Sequence, residues 1–253
     1  MKDHQKPKNY NTYVFTTKQK LLYAAEGMGI MFAVGYVFYH HVVISLIFSL
    51  SGLYFIKIKK KQLIARQKQE LNIQFKDLLY FLSTSLSAGR SLENSFQASL
   101  SSLQGLYSEE GSYIVPEVQG IIGKLHMGEN IEDCLMDLTK RSKVEDISNF
   151  TDVLITCKRK GGNLNEVIRN TSGVIKDRIE IKQEIGVMLA GKKSEQKILC
   201  LSPMALILFL TYSAYDFMAP VFDNPAGNMV MTLALFFVIV GYIWSGKIMD
   251  ISV

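Results

Sequence analysis

The chain has 253 residues, of which 48% are hydrophobic and 20% are charged, with 28 Lys and Arg against 23 Asp and Glu. This composition excludes an intrinsically disordered chain, which needs few apolar residues and a high net charge. The three cysteines, Cys134, Cys157 and Cys200, lie far apart and match no metal-ligand spacing. A disulfide scaffold is therefore excluded, and a reducing environment is expected.

Charge is distributed very unevenly along the chain. Only Glu26 is charged between residues 21 and 56, and only two aspartates are charged between residues 198 and 246. Residues 69–191 carry 17 acidic and 13 basic side chains, so the basic excess lies at the borders of the two apolar blocks. A nucleic-acid-binding protein carries its basic patch on the folded domain. The pattern therefore favours a membrane protein and predicts no nucleic-acid partner.

Each apolar block is too long for one transmembrane helix. The first block has 36 residues, which would make a rod of about 54 Å against a hydrocarbon core of about 30 Å. Tyr39-His40-His41 divides the first block, and the turn-forming residues of 219–228 divide the second. Two hairpins also keep the basic borders on one side of the membrane, as the positive-inside rule requires. We therefore expect an all-α membrane protein with four transmembrane helices, of which the second (42–57) is short.

The charge pattern predicts five parts in chain order. They are a cytoplasmic basic leader (1–20), a transmembrane hairpin (21–57), a cytoplasmic helical domain (58–197), a second transmembrane hairpin (198–246) and a cytoplasmic tail (247–253), with both termini in the cytoplasm. We expect the leader to be flexible and to attract anionic lipid headgroups. In the first span, Ala25, Gly29 and Ala33 form a stripe of small residues that is typical of close helix packing in lipid.

The polar middle of the chain predicts a bundle of about six helices. Apolar residues recur there at spacings of three and four, as in Leu71, Phe75, Leu78 and Leu82, which is the period of an amphipathic helix. Residues 105–113 form the one clear loop.

A short motif of the form G-x-[SN]-[LI]-[EN]-[NDE]-x-apolar occurs three times in this domain, beginning at Gly89, Gly128 and Gly161. Glycine supplies the left-handed backbone that ends one helix. The polar residue two positions later (Ser91, Asn130 and Asn163, respectively) then caps the next helix. These six residues are predicted to build structural helix corners at one end of an up-down bundle.

The sequence predicts no catalytic, cofactor-binding or metal-binding residue, and we do not expect an enzyme. Gly186–Ser194 resembles a phosphate-binding loop, but Lys193 stands where a Ser or Thr would bind magnesium, and no strand precedes it. His40-His41 has no third metal ligand nearby and is interpreted as a polar turn. The carboxylates Glu129, Glu132, Asp133 and Asp137 are interpreted first as a solvated helix face and second as a docking surface for a basic partner.

The segment from Leu78 to Leu92, which contains Ala88-Gly89-Arg90-Ser91-Leu92, resembles the opening of the type II secretion F domain. The later corner Gly161-Gly162-Asn163-Leu164 is similar to a second hallmark of that family. The family includes the platform proteins of type II secretion, type IV pili and the tight-adherence (Tad) pilus. The resemblance covers Phe75 to Val240. One copy of the domain after a membrane hairpin is most similar to the Tad-type subunits.

The resemblance implies a non-enzymatic platform protein in the bacterial inner (plasma) membrane. Its expected partners are a secretion or pilus-assembly ATPase, pilin subunits, a second copy or a sister platform subunit, and the lipid membrane. Two alternatives remain, a small four-span transporter and a membrane sensor with a cytoplasmic helical domain. A transporter needs ionisable groups along a pathway, whereas the spans offer only Glu26 and Asp216. A sensor needs an outer ligand-binding loop, and both outer loops are short.

Overall fold

The computed structural model describes residues 8–108 and 111–249, except for the side chain of Leu164. The helices are α1 (Thr17–Tyr39), α2 (Val42–Ser51), α3 (Phe55–Ser87), α4 (Leu92–Leu106), α5 (Ile114–His126), α6 (Ile131–Ser142), α7 (Glu145–Lys160), α8 (Leu164–Ser213), α9 (Tyr215–Asp223) and α10 (Pro225–Ile248), with a 3-10 turn at Gly52–Tyr54 between α2 and α3. The described residues contain no strand. The predicted all-α class is therefore confirmed.

Within the described residues, four helical segments are long and apolar enough to cross a membrane, as predicted. They are Thr17–Tyr39, Val42–Ser87, Asn165–Ser213 and Pro225–Ile248. The predicted short second span (42–57) is the apolar start of a longer helical segment, since the chain stays helical from α2 through the 3-10 turn into α3.

The chain forms two compact units. We call the first the bundle unit; of the described chain it contains residues 8–14 and 61–181. We call the second the hairpin unit; it contains residues 15–60 and 182–249. Helices α3 and α8 each contribute residues to both units.

The core of the bundle unit is made by the apolar stripes that the sequence predicts. Six helices contribute to this unit within the described residues, namely α4 to α7 whole and the relevant parts of α3 and α8. Fully buried side chains from every one of them meet in one cluster, including Leu71, Phe75, Phe96, Val118, Leu135, Phe150 and Ile168. The rings of Phe75 and Phe150 pack edge to face with centroids 5.5 Å apart. Burial of such side chains supplies the main stabilisation of the bundle.

Residues 8–14 of the predicted leader differ from the prediction of a flexible segment, whereas residues 1–7 lie outside the described residues. Residues 8–14 belong to the bundle unit, and Tyr10 is among its most buried side chains. The prediction failed because a polar segment is taken as flexible unless it finds partners, and these partners lie far away in the sequence.

In the hairpin unit, α1 and α2 pack antiparallel at very short range. A side-chain carbon added at Gly27 would lie 2.5 Å from the carbonyl oxygen of Gly52, and one added at Gly35 would lie 3.0 Å from the Cα of Ser45. Ser49 Oγ donates a hydrogen bond to the carbonyl of Met28 at 3.2 Å. Glycines at these positions therefore allow the backbones to approach closely.

The predicted stripe of small residues on α1 does not make the contact with α2. Ala25, Gly29 and Ala33 are exposed, and nothing lies within 4 Å of the position of a Cβ on Gly29. Two residues along an α-helix correspond to a rotation of about 200°. The stripe that begins at Ala25 therefore lies almost opposite the face that carries Gly27 and Gly35.

The second apolar block divides within the predicted range, but with an additional helix. Helix α8 ends at Ser213, and the short helix α9 then contains Pro220, which was predicted to lie in a turn. Asn224 separates α9 from α10 and accepts a hydrogen bond from the amide of Ala226 at 3.3 Å. Pro225 occupies the first position of α10. Proline is favoured at this position because a backbone N–H there would have no partner within the helix, so its absence costs nothing.

Candidate functional site: the two ends of the helical bundle

Three helix corners share one backbone design. Gly89, Gly128 and Gly161 have φ of 81°, 86° and 68°. Each corner contains the same two hydrogen bonds from an amide to a carbonyl: Gly89 to Leu86 and Arg90 to Ser85; Gly128 to Leu125 and Glu129 to Lys124; Gly161 to Lys158 and Gly162 to Cys157. This bond pair satisfies carbonyls that a helix end leaves free and is known as the Schellman motif.

The N-caps of the next helices are less uniform than the motif predicts. Ser91 Oγ accepts from the amide of Asn94 at 3.3 Å, and Asn163 Oδ1 accepts from the amide of Asn165 at 3.2 Å. Asn130 occupies the N-cap position of α6 with an extended backbone, but its side chain makes no capping hydrogen bond. Glu132 lies in the first turn of α6, where the helix dipole favours negative charge.

The three corners lie together at one end of the bundle, which we call the corner end. Asn165 Nδ2 donates to the carbonyl of Leu86 at 3.3 Å, and this bond joins the first corner to the third. Lys158 Nζ lies 2.8 Å from Glu132 Oε2, and this ion pair joins the third corner to the second.

The four candidate docking carboxylates do not form one free acidic surface. Glu132 is paired with Lys158, and hydrogen bonding to Lys158 and to backbone outweighs the opposing effect of burial, so the pKa of Glu132 is lowered. Asp137 lies 3.0 Å from Arg141 Nε and 3.4 Å from Lys124 Nζ. Glu129 and Asp133 are exposed beside the second corner.

The corner end also carries exposed basic residues that the sequence prediction overlooked. Lys158, Arg159 and Lys160 occupy the last turn of α7, and Arg90 lies in the first corner. Cations stabilise the C-terminal end of a helix through its dipole. The corner end therefore presents both signs of charge, although residues 69–191 carry more acidic than basic side chains.

The opposite end of the bundle, which we call its base, is held by two buried carboxylates. The first is Glu117 of α5, which binds the guanidinium of Arg141 through two hydrogen bonds of 2.7 and 2.6 Å and also accepts from the hydroxyl of Tyr10. Burial lowers the pKa of Arg141, but the bonds to Glu117 and the charge of Asp137 raise it more, so the net shift is upward. Burial, with the charge of Glu117, raises the pKa of Tyr10.

The second buried carboxylate at the base is Asp146, in the first turn of α7. It accepts from Asn72 Nδ2 of α3 at 2.6 Å and from the guanidinium of Arg178 of α8 at 2.7 Å. Hydrogen bonding to Asp146 raises the pKa of Arg178. Asp146 thus clamps together α3 and α8, the two helices that continue into the hairpin unit.

In a third polar contact at the base, a side chain of α3 caps the N-terminus of α5. Gln74 Oε1 accepts from the amides of Tyr113 and Ile114 at 2.8 and 3.0 Å, which satisfies two free donors at the start of α5. The sequence prediction missed Gln74, Asp146 and Glu117. A polar residue within an apolar stripe, as Gln74 is between Leu71 and Leu78, was the available signal.

Among the residues that the structure describes, no cluster of His, Cys, Asp and Glu is arranged to hold a metal ion. The ring of His40 instead stacks on Phe222, with centroids 5.2 Å apart. The bundle therefore has glycine-terminated helix corners at one end. At the other end, the buried carboxylates Glu117 and Asp146 join segments that lead into the hairpin unit.

These features define a multi-pass helical membrane protein whose chain carries a polar helical bundle between apolar hairpins. Residues 78–211, more than half of the chain, match the family described as Type II secretion system (T2SS), protein F. The chain belongs to this family of non-catalytic membrane platform proteins of secretion and pilus machinery. The matched region lies within the predicted one, Phe75 to Val240. Comparisons with curated proteins and with solved structures give no match.

Proposed function

We propose that this protein is the inner-membrane platform of a type II secretion or Tad-like pilus machine. In this proposal it couples a cytoplasmic assembly ATPase to the extraction and assembly of pilin subunits. The bundle unit lies on the cytoplasmic side, both termini are cytoplasmic, and a second copy or a sister subunit completes the platform. The observation that carries the proposal is the family match, which covers the bundle from Leu78 onward and continues along α8 almost to the end of its apolar part.

The continuity of α8 supports a mechanical role. This single helix carries Ile168 and Ile175, which are buried in the bundle core, and also the third apolar segment. A helix conveys displacement without the slack of a loop. Removal of a 20-residue apolar helix from lipid costs about 6–12 kcal/mol, at about 0.3–0.6 kcal/mol per residue. The proposal assigns the supply of this free energy to the ATPase.

We place the contact with the ATPase at the corner end, since the base is occupied by segments that lead into the hairpin unit. Of the four candidate carboxylates, Glu129 and Asp133 are exposed there, whereas Glu132 and Asp137 are paired within the bundle. Reversal of Glu129 and Asp133 to Lys is expected to weaken binding of the ATPase at low salt, where surface charges act most strongly. Asp152→Lys, at an exposed site on α7, is the control. Unchanged binding by the double variant would remove these carboxylates from the contact.

The experiment that tests the proposal interrupts α8. Four Gly and Ser residues inserted after Gly191 break the helix at an exposed position, and the same insertion after Ser108, in the loop between α4 and α5, is the control. We expect the insertion in α8 to abolish secretion or pilus assembly in cells while the protein remains in the membrane. We expect the loop insertion to be tolerated. Wild-type assembly with the insertion after Gly191 would refute a mechanical coupling through this helix.

A further inference from the structure

The N-terminal segment 8–14 is bound to the bundle through main-chain contacts. The amide of Tyr10 donates to the carbonyl of Arg141 at 3.1 Å, and Asn11 Nδ2 donates to the same carbonyl at 3.0 Å. Arg141 lies in the last turn of α6, where helix carbonyls have no partner within the helix. The segment therefore satisfies an acceptor that α6 leaves free.

The side chain of Tyr10 fits a pocket of matching chemistry. It is 1% exposed, and its hydroxyl donates to Glu117 Oε1 at 2.9 Å. Its ring packs edge to face on Tyr113, with centroids 5.9 Å apart. The ammonium of Lys8 lies 4.3 Å from the centroid of the same Tyr113 ring. A buried carboxylate held by Arg141, an aromatic wall and a cation site together bind this segment at three points.

The segment leads directly into the first apolar helix. Val14 is the last residue of the segment in the bundle unit, and α1 begins at Thr17 in the hairpin unit. Three residues of extended chain reach at most about 10 Å. A displacement of the bundle larger than this slack must therefore pull on α1 as long as the segment stays docked.

We infer that residues 8–14 are a strap, which docks through Tyr10 into the pocket of Glu117, Arg141 and Tyr113 and links the bundle mechanically to α1. The strap is a third link, beside the continuous helices α3 and α8. Its mechanical role rests on the proposed function, whereas its docking does not. Ordering seven residues costs conformational entropy, which the contacts of Tyr10, Asn11 and Lys8 offset.

Docking is tested by hydrogen exchange of the purified full chain in detergent. We expect the amide of Tyr10, which donates to the carbonyl of Arg141, to exchange at least tenfold more slowly than in an unstructured peptide. Tyr10→Ala should remove this protection, Tyr10→Phe should leave an intermediate level, and Val14→Ala should change nothing, because Val14 is 89% exposed. Exchange of the wild-type segment at unstructured rates would overturn the strap.

The mechanical role is tested by lengthening the connection between residues 8–14 and α1. Twelve Gly and Ser residues inserted between Val14 and Phe15 add an average span of about 20 Å, and the same insertion immediately before Lys8 is the control. We expect the first insertion to lower secretion or pilus assembly at least tenfold with exchange protection retained, and the control to match wild type. Wild-type assembly with the first insertion would refute the link. Wild-type assembly after deletion of the whole gene would instead refute the proposed function, and the exchange result would stand independently.

Discussion

Asp146 at the base of the bundle allows the sharpest test of how the bundle is held together. We expect Asp146→Ala to lower the free energy of unfolding by about 2–4 kcal/mol. The variant removes two hydrogen bonds to a carboxylate that is 5% exposed, those from Asn72 and Arg178, and bonds to charged groups contribute about 1.5–3 kcal/mol each. Arg178 is 30% exposed, so water hydrates the stranded cation, and the cost stays below the sum of both bonds.

The chain offers a matched control one residue away. Glu145 lies in the same turn of α7 and its carboxylate is 3.2 Å from the guanidinium of Arg178, but its side chain is 71% exposed. Exposed ion pairs contribute about 0–1 kcal/mol, so Glu145→Ala should have a much smaller effect. Pulse proteolysis of the purified protein across a urea series measures both unfolding midpoints. Equal losses for the two variants, or a loss below about 1 kcal/mol for Asp146→Ala, which is the value for an exposed pair, would refute the clamp.

Further predictions concern the corners and the pH dependence of the bundle. Gly89→Val should lower the free energy of unfolding by about 1–3 kcal/mol, because a β-branched residue is strained at positive φ. The control is Gly120→Val, at an open position within α5, which should stay within about 0.5 kcal/mol of wild type. Equal effects of the two variants would contradict a left-handed requirement at Gly89. The lowered pKa of Glu132 means that its pair with Lys158 stabilises the fold above the ordinary carboxyl pKa of 4.5, and that this contribution is lost as the pH falls below it. Melting curves from pH 7 to pH 3.5 should therefore converge for wild type and Glu132→Gln, and parallel curves would contradict the pairing. The raised pKa of Tyr10 means that docking is favoured below the ordinary phenol pKa of 10.0 and weakens as the pH rises above it. Exchange protection of the segment should therefore fall above that pH in wild type but not in Tyr10→Phe. The same fall in both proteins would exclude ionisation of Tyr10 as the cause.

Local rules predicted the elements and the corners. Apolar residues at helical spacing identify the buried stripe of α3, since a side chain every three or four residues falls on one face. Glycines at 89, 128 and 161 adopt positive φ because only glycine does so without strain. The family membership followed from these same corners.

Contacts between residues far apart in the sequence escaped the prediction. Tyr10 meets Glu117 across 107 positions, and Asn72 meets Asp146 across 74, and no periodicity encodes such pairs. The contact face of α1 was missed for a related reason. Small residues occur on two faces of that helix, and only the position of α2 selects the face of Gly27 over that of Gly29.

Cysteine labelling in cells tests the proposed placement of the bundle unit in the cytoplasm, between two membrane hairpins along the chain. Single cysteines replace His41, Asn149 and Asn224, all exposed, in a chain whose own three cysteines are changed to Ala. A membrane-impermeant thiol reagent should label positions 41 and 224 in intact cells and position 149 only after the membrane is permeabilised. Labelling of position 149 in intact cells would contradict the cytoplasmic placement of the bundle unit.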